Sequence, residues 1–310
     1  MIVLPALYWL YGERLVTSHP TTETLVMSHP GHSQQPLPRV AGSVATLTIA
    51  MLLGAVAVAA AHDMFAKPDK FFVAANEEVL VRVLNGTFIK SENSIGRPRV
   101  RDITVLSPSG VKTLDTTAWS AAGDTSTFRI RTSGEGTYVL GAATRPNIIA
   151  MSGDTFNLYL KEDGIPDVLA ARRRDHELDR RVRERYSKYV KAMIQAGNAR
   201  TANFATPIGY AAEIIPLENP YSLSRGGTLS ARMLVDGKPV RNQYVLYGGL
   251  TLNGSGIAQR SARSDSAGVV RIPLSSAGTW YVKFIHMARL STDREADYES
   301  KWATLTFQVR

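Results

Sequence analysis

Short runs of β-branched and aromatic residues, each closed by turn residues, follow one another along most of the chain after residue 61. Turn sequences such as Asn85-Gly86 and Asp236-Gly237 separate these runs. Strands of this length joined by such turns are typical of antiparallel β-sandwiches, and they argue against a parallel sheet with alternating helices. The predicted strands are residues 71–74, 79–84, 101–106, 127–131, 138–142, 156–160, 213–216, 228–235, 243–247, 269–274, 279–286 and 303–309.

One stretch has a different period. Apolar residues recur there at spacings of three and four with charges between them, which predicts a helical segment over residues 164–196 that ends at Gly197. We interpret the apolar stripe as the packing face of that helix. Its members are Leu178, Val182, Tyr186, Tyr189, Val190, Met193 and Ile194.

These patterns together predict a mainly β chain with two immunoglobulin-like antiparallel β-sandwich domains joined by a helical segment. The length of 310 residues suits two modest domains. The first sandwich is placed at residues 62–160, the helical linker at 161–204 and the second sandwich at 205–310.

The N-terminal part predicts export. Residues 40–61 contain no charged residue, follow Arg39 and end in small residues, as a secretory signal peptide does. An uncleaved membrane anchor is the alternative interpretation, since 22 uncharged residues could just span a bilayer. Residues 1–39 are then an N-terminal extension, disordered or wrongly started, because Met27 opens a better-shaped signal. We expect a periplasmic or otherwise exported protein.

Composition excludes several classes of site and partner. The sequence has no cysteine, so disulfides, cysteine zinc sites, iron–sulfur clusters and thiol nucleophiles are excluded. The formal net charge is +9, and its densest stretch, residues 171–191, mixes arginines with acidic residues. Mixed signs indicate a solvated face rather than a track for phosphates, and we expect no nucleic-acid partner.

Motifs for catalysis are missing from the sequence. It contains no His-Glu-x-x-His, no Gly-x-Ser-x-Gly, no phosphate-binding loop and no dinucleotide fingerprint. We therefore expect no enzyme, no catalytic residue and no organic-cofactor site.

Histidines are the remaining candidates for chemistry. After residue 61 the chain has three: His62, His176 and His286. His176 lies among charges and is interpreted as solvent-facing. His286 ends an apolar run in which alternation places it with Val282 and Phe284, opposite Ile285, so it could equally be a core or rim histidine.

The chemistry of His62 depends on where a signal peptidase cuts. Cleavage after Ala59 would let the terminal amine, two amide nitrogens and the imidazole form a four-nitrogen square that suits nickel(II) or copper(II). Cleavage after Ala60 would need a second imidazole to complete the square. Cleavage after Ala61 would make His62 the terminal residue, so that a second histidine would complete a three-nitrogen copper brace. His286 is the only plausible second imidazole, while a frayed terminus with no metal is the plain alternative.

Several motifs give the chain a resemblance to a known family. They are His62-Asp63, VLNGTF at 83–88, LDTTAW at 114–119, GYAAEIIPL at 209–217, NPY at 219–221, WYVKFIH at 280–286 and DYESKWATLTF at 297–307. With them, residues 62–310 resemble an exported bacterial family catalogued as a domain of unknown function and labelled nickel-uptake-transporter-like. The resemblance implies a periplasmic protein with immunoglobulin-like β domains and a role near nickel or cobalt uptake.

We therefore expect a periplasmic protein that captures a divalent transition metal, nickel or cobalt in type, with copper as a further possibility. His62 and His286 are the expected ligands, and Asp63 or Glu299 is a further ligand or a hydrogen-bonding partner of one. A membrane metal transporter is the expected partner, and the sequence indicates no oligomeric state. The alternatives are a non-catalytic module that binds an envelope polymer or protein and, less favoured, a histidine-brace copper enzyme.

Overall fold

The computed structural model describes residues 62–310, so the predicted extension at 1–39 and the predicted signal peptide at 40–61 lie outside the described residues. Within the described range the chain is mainly β, as the short β-type runs predict. The strands, in chain order, are β1 (Asp63–Pro68), β2 (Phe72–Val73), β3 (Glu78–Gly86), β4 (Val100–Ser107), β5 (Gly110–Leu114), β6 (Ser120–Ala122), β7 (Thr125–Arg131), β8 (Gly136–Thr144), β9 (Asn147–Met151), β10 (Val182–Ala196), β11 (Ala212–Pro216), β12 (Thr228–Val235), β13 (Lys238–Pro239), β14 (Tyr244–Thr251), β15 (Gly256–Arg263), β16 (Val269–Pro273), β17 (Gly278–Arg289) and β18 (Tyr298–Val309). The α-helices are α1 (Gly153–Glu162) and α2 (Pro166–Arg174). Short 3-10 helices cover Arg97–Arg99, Thr116–Ala118, Ala202–Ala205 and Pro220–Ser222.

The strands form three sheets. The N-terminal sheet has the order β1-β3-β7-β6. The central sheet has ten strands, with the path β15-β14-β17-β18-β10-β8-β4-β5 and with β2 and β9 also paired to β10. The C-terminal sheet has the order β11-β12-β13, with β16 paired to β12.

The central sheet is continuous across both halves of the chain. Strands β10 and β18 join in parallel, with Glu184 opposite Tyr298 and Ala192 opposite Thr306. The expectation of two purely antiparallel sandwiches separated by a linker at 161–204 is therefore wrong, because one sheet supplies a layer to both halves. The described residues belong to one compact unit.

The helical prediction for residues 164–196 holds only for α2. Residues 182–196 form β10, at the centre of the central sheet, and all ten residues from 187 to 196 are buried. Tyr189 and Met193 pack on one face of the sheet, and Val190 and Ile194 pack on the other. Since both faces are covered, the alternation of polar and apolar residues that marks a half-buried strand is lost.

The predicted strand at 156–160 is also wrong, because these residues lie in α1. The Ser152 side chain caps this helix by accepting the Thr155 backbone N–H at 3.2 Å. Phe156, Tyr159 and Leu160 are the buried side chains of the helix, at the spacing of three and four that one helical face requires.

The two smaller sheets cover opposite faces of the central sheet. Val81 and Phe128 of the N-terminal sheet share a core with Leu140 and Val190. On the other face, the core consists of residues from the C-terminal sheet and from β10, β14, β17 and β18, including Ile214, Leu229, Met233, Tyr189, Trp280 and Phe307. Between residues 62 and 310, neither helix is long and apolar enough to span a membrane.

Helices α1 and α2 lie on the same face of the central sheet as the N-terminal sheet. Their buried residues Phe156, Leu160 and Leu169 pack with Ile285 and Trp302 of that face. Strand β1 begins in the gap between these helices and the N-terminal sheet, and this gap holds most of the polar residues around His62.

Candidate functional site

His62 lies directly before β1, at the edge of a polar pocket. Its Nε2 atom is 3.3 Å from Oε2 of Glu92, and the two side chains are 22% and 45% exposed. Both therefore remain accessible to a ligand.

Asp63, the first residue of β1, is occupied by an internal ion pair. Its Oδ2 atom contacts the ammonium of Lys283, and Oδ1 of Asp163 lies 3.5 Å from the same ammonium. The other carboxylate oxygen of Asp63 is buried without a hydrogen-bond partner. Asp63 thus neutralises a lysine in this structure rather than facing His62's pocket.

His286 lies in a different pocket. Its Nδ1 atom is 3.1 Å from Oε1 of Gln243, and its pocket shares no lining residue with that of His62. Strand alternation puts His286 on the face of the central sheet that the C-terminal sheet covers, whereas Lys283 contacts Asp63 on the opposite face. The structure therefore does not bring His62 and His286 together.

Glu299 and His286 both lie near Lys301. Glu299 Oε2 is 3.8 Å from the Lys301 ammonium, and His286 pairs with Lys301 across β17 and β18. Burial lowers the pKa of His286, and the positive charge of Lys301 lowers it further. A cation would meet an ammonium group at this position, so the expected role of Glu299 beside His286 as a metal ligand finds no support here.

Within residues 62–310, no group of three or more histidine, aspartate or glutamate side chains is placed to hold a metal ion. A metal at His62 would therefore take Glu92 as its protein carboxylate and need further donors. A second ligand in the pocket could supply them.

The His62 pocket, which we define by His62, Asn85, Asn93, Arg99, Tyr186 and Lys188, has a volume of about 220 Å³. Strand β3 delivers Asn85, the loop after it carries Asn93, the 3-10 helix before β4 ends at Arg99, and β10 delivers Tyr186 and Lys188. The pocket thus forms where the N-terminal sheet meets the central sheet.

Lys188 forms the base of the pocket. Its ammonium donates hydrogen bonds to the backbone carbonyl of His62 and, at 3.1 Å, to Oδ1 of Asn85. Burial lowers the pKa of Lys188 to about 8, although the charges of Asp63 and Asp163 oppose the shift. The lysine thereby ties the position of His62 to the central sheet.

Two buried acids lie beyond Lys188. Burial raises the pKa of Asp163 to about 7, with the charge of Asp63 acting in the same direction. Burial also raises the pKa of Glu184 to about 7. Glu184 Oε1 accepts hydrogen bonds from the Tyr159 hydroxyl, at 3.0 Å, and from Ser300, while its Oε2 atom is buried without a partner.

Sequence reasoning missed Glu92, Arg99 and Lys188. Glu92 lies in a loop with no motif around it, and nothing in the sequence distinguishes Arg99 from the other arginines. Lys188 sits inside the stretch interpreted as a solvated helical face. The signal that could have found Lys188 is the density of β-branched and aromatic residues in the same stretch, which suits a buried strand as well as a helix.

Comparisons with known proteins identify a family and include distant structural matches. The family described as "Domain of unknown function (DUF4198)" matches residues 59–288. No curated protein matches the chain. Among solved structures, the crystal structure of a tetra-tandem repeat in the extending region of a large adhesion protein is 11% identical with a TM-score of 0.20. The alignment covers 81% of this chain and 50% of that chain, so this chain spans about half the length of the adhesion-protein structure.

Proposed function

We propose that this chain, which belongs to the DUF4198 family, is an exported protein that captures a divalent transition metal of the nickel or cobalt type at His62. The observation that carries the proposal is the 3.3 Å approach of His62 Nε2 to Glu92 Oε2 at an accessible edge of the His62 pocket.

An imidazole nitrogen and a carboxylate oxygen at this separation can bind one ion. Each would lie about 2.0–2.2 Å from a bound zinc-like divalent metal, and two neighbouring ligands on one ion are then about 3 Å apart. Imidazole suits nickel, cobalt and copper better than it suits the alkaline-earth cations.

The remaining donors depend on the cleavage position, which we propose to lie after Ala59, Ala60 or Ala61. In a chain that starts at His62, water or a further ligand in the pocket completes the coordination of an ion held between Nε2 and Glu92, because the chain's own amine can chelate an ion only together with Nδ1. A chain that starts at Ala60 can complete a four-nitrogen square from its own backbone, so that Glu92 is dispensable. The loss of metal affinity on mutation of Glu92 therefore distinguishes a chain that begins at His62 from one that begins at Ala60.

The experiment uses three proteins that begin at Ala60, Ala61 and His62, each released by a protease that leaves no extra residue. Each is titrated with nickel(II), cobalt(II) and copper(II) chloride in a calorimeter. We expect His62→Ala to abolish binding in every version and Glu92→Gln to weaken it about ten-fold or more in the version that starts at His62. N-terminal sequencing of the exported protein identifies the natural start.

Two matched controls accompany these variants. His286→Ala removes the other pocket histidine, and His176→Ala removes an exposed one; both should leave metal affinity unchanged. Retention of metal by the His62→Ala protein, or no binding by any version, would contradict the proposal. The second result would favour a metal-free interaction module.

The separation of His62 from His286 argues against a histidine-brace copper enzyme. A copper brace needs a second imidazole beside His62, and the pocket around His62 holds none among the residues described. We therefore propose capture without catalysis. The captured ion would pass to a separate membrane transporter, in keeping with the label of the family that the chain resembles.

We also propose that each smaller sheet, with the part of the central sheet facing it, is a divergent immunoglobulin-like sandwich. The support is that each has its own core, one with Val81 and Phe128 and the other with Leu229 and Trp280. In this arrangement the two sandwiches share the central sheet instead of being joined by a linker.

A further inference from the structure

The charges in the His62 pocket do not suit a bare cation alone. Beside the single imidazole, the pocket is lined by the ammonium of Lys188 and the guanidinium of Arg99. Lys188 is 5% exposed and donates directly to the carbonyl of His62. A divalent ion entering alone would add its charge to two positive groups, one of them largely desolvated.

The guanidinium of Arg99 has no carboxylate partner among residues 62–310. One of its nitrogens, Nη1, donates to the backbone carbonyl of Pro146 at 3.3 Å, and the group lies 5.3 Å from the centre of the Tyr186 ring. This cation–π contact restrains the guanidinium and leaves further N–H groups for a ligand.

Other groups around the pocket are also placed to donate hydrogen bonds. The Thr144 hydroxyl accepts the Lys188 backbone N–H at 2.9 Å, so its own proton is free for a ligand. The Tyr186 hydroxyl accepts from Asn147 Nδ2 at 3.2 Å, with the same consequence. Asn93, which lines the pocket, accepts a hydrogen bond from the Asn85 amide through its oxygen, so its own amide N–H groups are available to a ligand.

An excess of donors, two fixed positive charges and an open edge together select an anion. We propose that the His62 pocket binds a small carboxylate and that the metal arrives as the complex of this carboxylate, whose oxygens complete the coordination begun by His62 and Glu92. The metal half of this inference rests on the proposed function, whereas the carboxylate half stands on the donors alone.

The size and shape of the pocket suit such a ligand. Its volume of about 220 Å³ admits a small organic acid. The planar fork of Arg99 matches a planar carboxylate with two parallel hydrogen bonds. This inference also accounts for a site that provides fewer than three acidic or imidazole ligands of its own.

The test uses the protein that begins at His62, stripped of metal on a chelating resin. Citrate, inorganic phosphate and nickel chloride are each titrated alone, and nickel is then titrated in the presence of an equal concentration of citrate. We expect citrate to bind without metal, phosphate to bind at least ten-fold more weakly, and native mass spectrometry to detect protein, nickel and citrate in a 1:1:1 complex.

Variants of two arginines in one short helix provide the matched comparison. Arg99→Gln should weaken citrate binding about ten-fold, because it removes a charge-assisted pair, and Arg99→Lys should weaken it less, because it keeps the charge and loses the fork. Arg97→Gln changes an exposed neighbour that does not line the pocket and should change nothing. The thermal unfolding midpoint of each variant checks that the pocket is still folded.

The possible results separate the two proposals. Nickel binding without citrate binding, or citrate binding that Arg97→Gln and Arg99→Gln weaken equally, overturns the carboxylate site and leaves metal capture standing. Citrate binding without nickel binding supports the carboxylate site and overturns metal capture. Phosphate binding as tight as citrate binding overturns the assignment of the anion as a carboxylate.

Discussion

Lys191 and Glu213 form an ion pair in which Nζ and Oε2 lie 3.0 Å apart and the side chains are only 3% and 2% exposed. Lys191 belongs to β10 and Glu213 to β11, so the pair connects the central sheet to the C-terminal sheet. Glu213 also accepts the backbone N–H groups of Ile208 and Tyr210, at 3.1 and 2.6 Å, and so fixes the turn that precedes β11.

Removing one member of this pair should destabilise the protein strongly. Lys191→Met leaves the Glu213 carboxylate buried without its cation, and we expect the free energy of unfolding to fall by about 3–5 kcal/mol. Urea denaturation followed by circular dichroism measures the change. In Lys191→Met/Glu213→Gln the buried charge is gone, so part of the loss should be recovered. A single variant as stable as the wild type would contradict the role of the pair.

Glu184 should make stability depend on pH. Its pKa is raised by burial from 4.5 to about 7, so between these values the folded protein binds a proton that the unfolded chain has released. The contribution of Glu184 to the free energy of unfolding is fully present below about pH 4.5. It is lost as the pH rises to about 7, and the loss is on the order of 3 kcal/mol. Asp163, also raised to about 7 by burial, acts with the same sign.

Glu184→Gln tests this linkage, because an amide keeps an acceptor for Tyr159 and Ser300 but does not titrate. The loss of stability between about pH 4.5 and 7 should be smaller in Glu184→Gln than in the wild type. Glu162→Gln, on the exposed side of α1, serves as the control and should follow the wild type. Parallel curves for the wild type and Glu184→Gln would show that the buried acid is not protonated in the folded state.

Citrate affinity should fall as Lys188 loses its proton. Burial lowers the pKa of Lys188 to about 8, and a bound anion favours the charged lysine, so binding weakens as the pH rises above this value. Calorimetry from about pH 7.5 to about 9.5 covers the transition. The charged groups that face this ammonium are Asp63, Asp163, Glu184 and Arg99, and the first three lower the anion affinity when they are ionised. An affinity independent of pH over this range would exclude Lys188 from the anion site.

Gly153 is required by a close approach of two backbones. Gly153 begins α1, and a Cβ atom at this position would lie 2.2 Å from the carbonyl oxygen of Leu178. Gly153→Ala should therefore lower the free energy of unfolding by about 1–3 kcal/mol although alanine favours helices. Gly256→Ala, where a Cβ meets nothing within 4 Å, is the control. Equal stability of the two variants in urea would show that the backbones separate at little cost.

The sequence predicts β12 correctly as a strand but assigns β10 to a helix. The prediction for residues 228–235 coincides with β12, whose alternate residues are buried. It fails for β10, where Lys188 and Lys191 are charged yet buried and spaced like a helical surface. Their partners, Asn85 and Glu213, are remote in sequence, so no local pattern reveals that these charges are satisfied.

The candidate site was predictable only in part. His62 stands out in the sequence because the predicted cleavage positions lie directly before it, and it does line a pocket. The sequence does not show that β10 lies between the two halves of the central sheet, so it could not show whether His62 and His286 are close enough to bind one ion. Glu92 and Arg99 become candidates only when the N-terminal sheet brings their loops beside β10.

The position of β18 governs the order in which this protein can acquire its structure. Strand β18 lies between β17 and β10, so a nascent chain ending before residue 298 has two central strands with bare edges facing each other. Such edges invite pairing with other chains, and pairings as distant as Glu184 with Tyr298 close slowly. The facing edges of β10 and β17 should therefore stay unpaired until β18 has emerged, and a deletion of residues 298–310 would split the central sheet rather than shorten it.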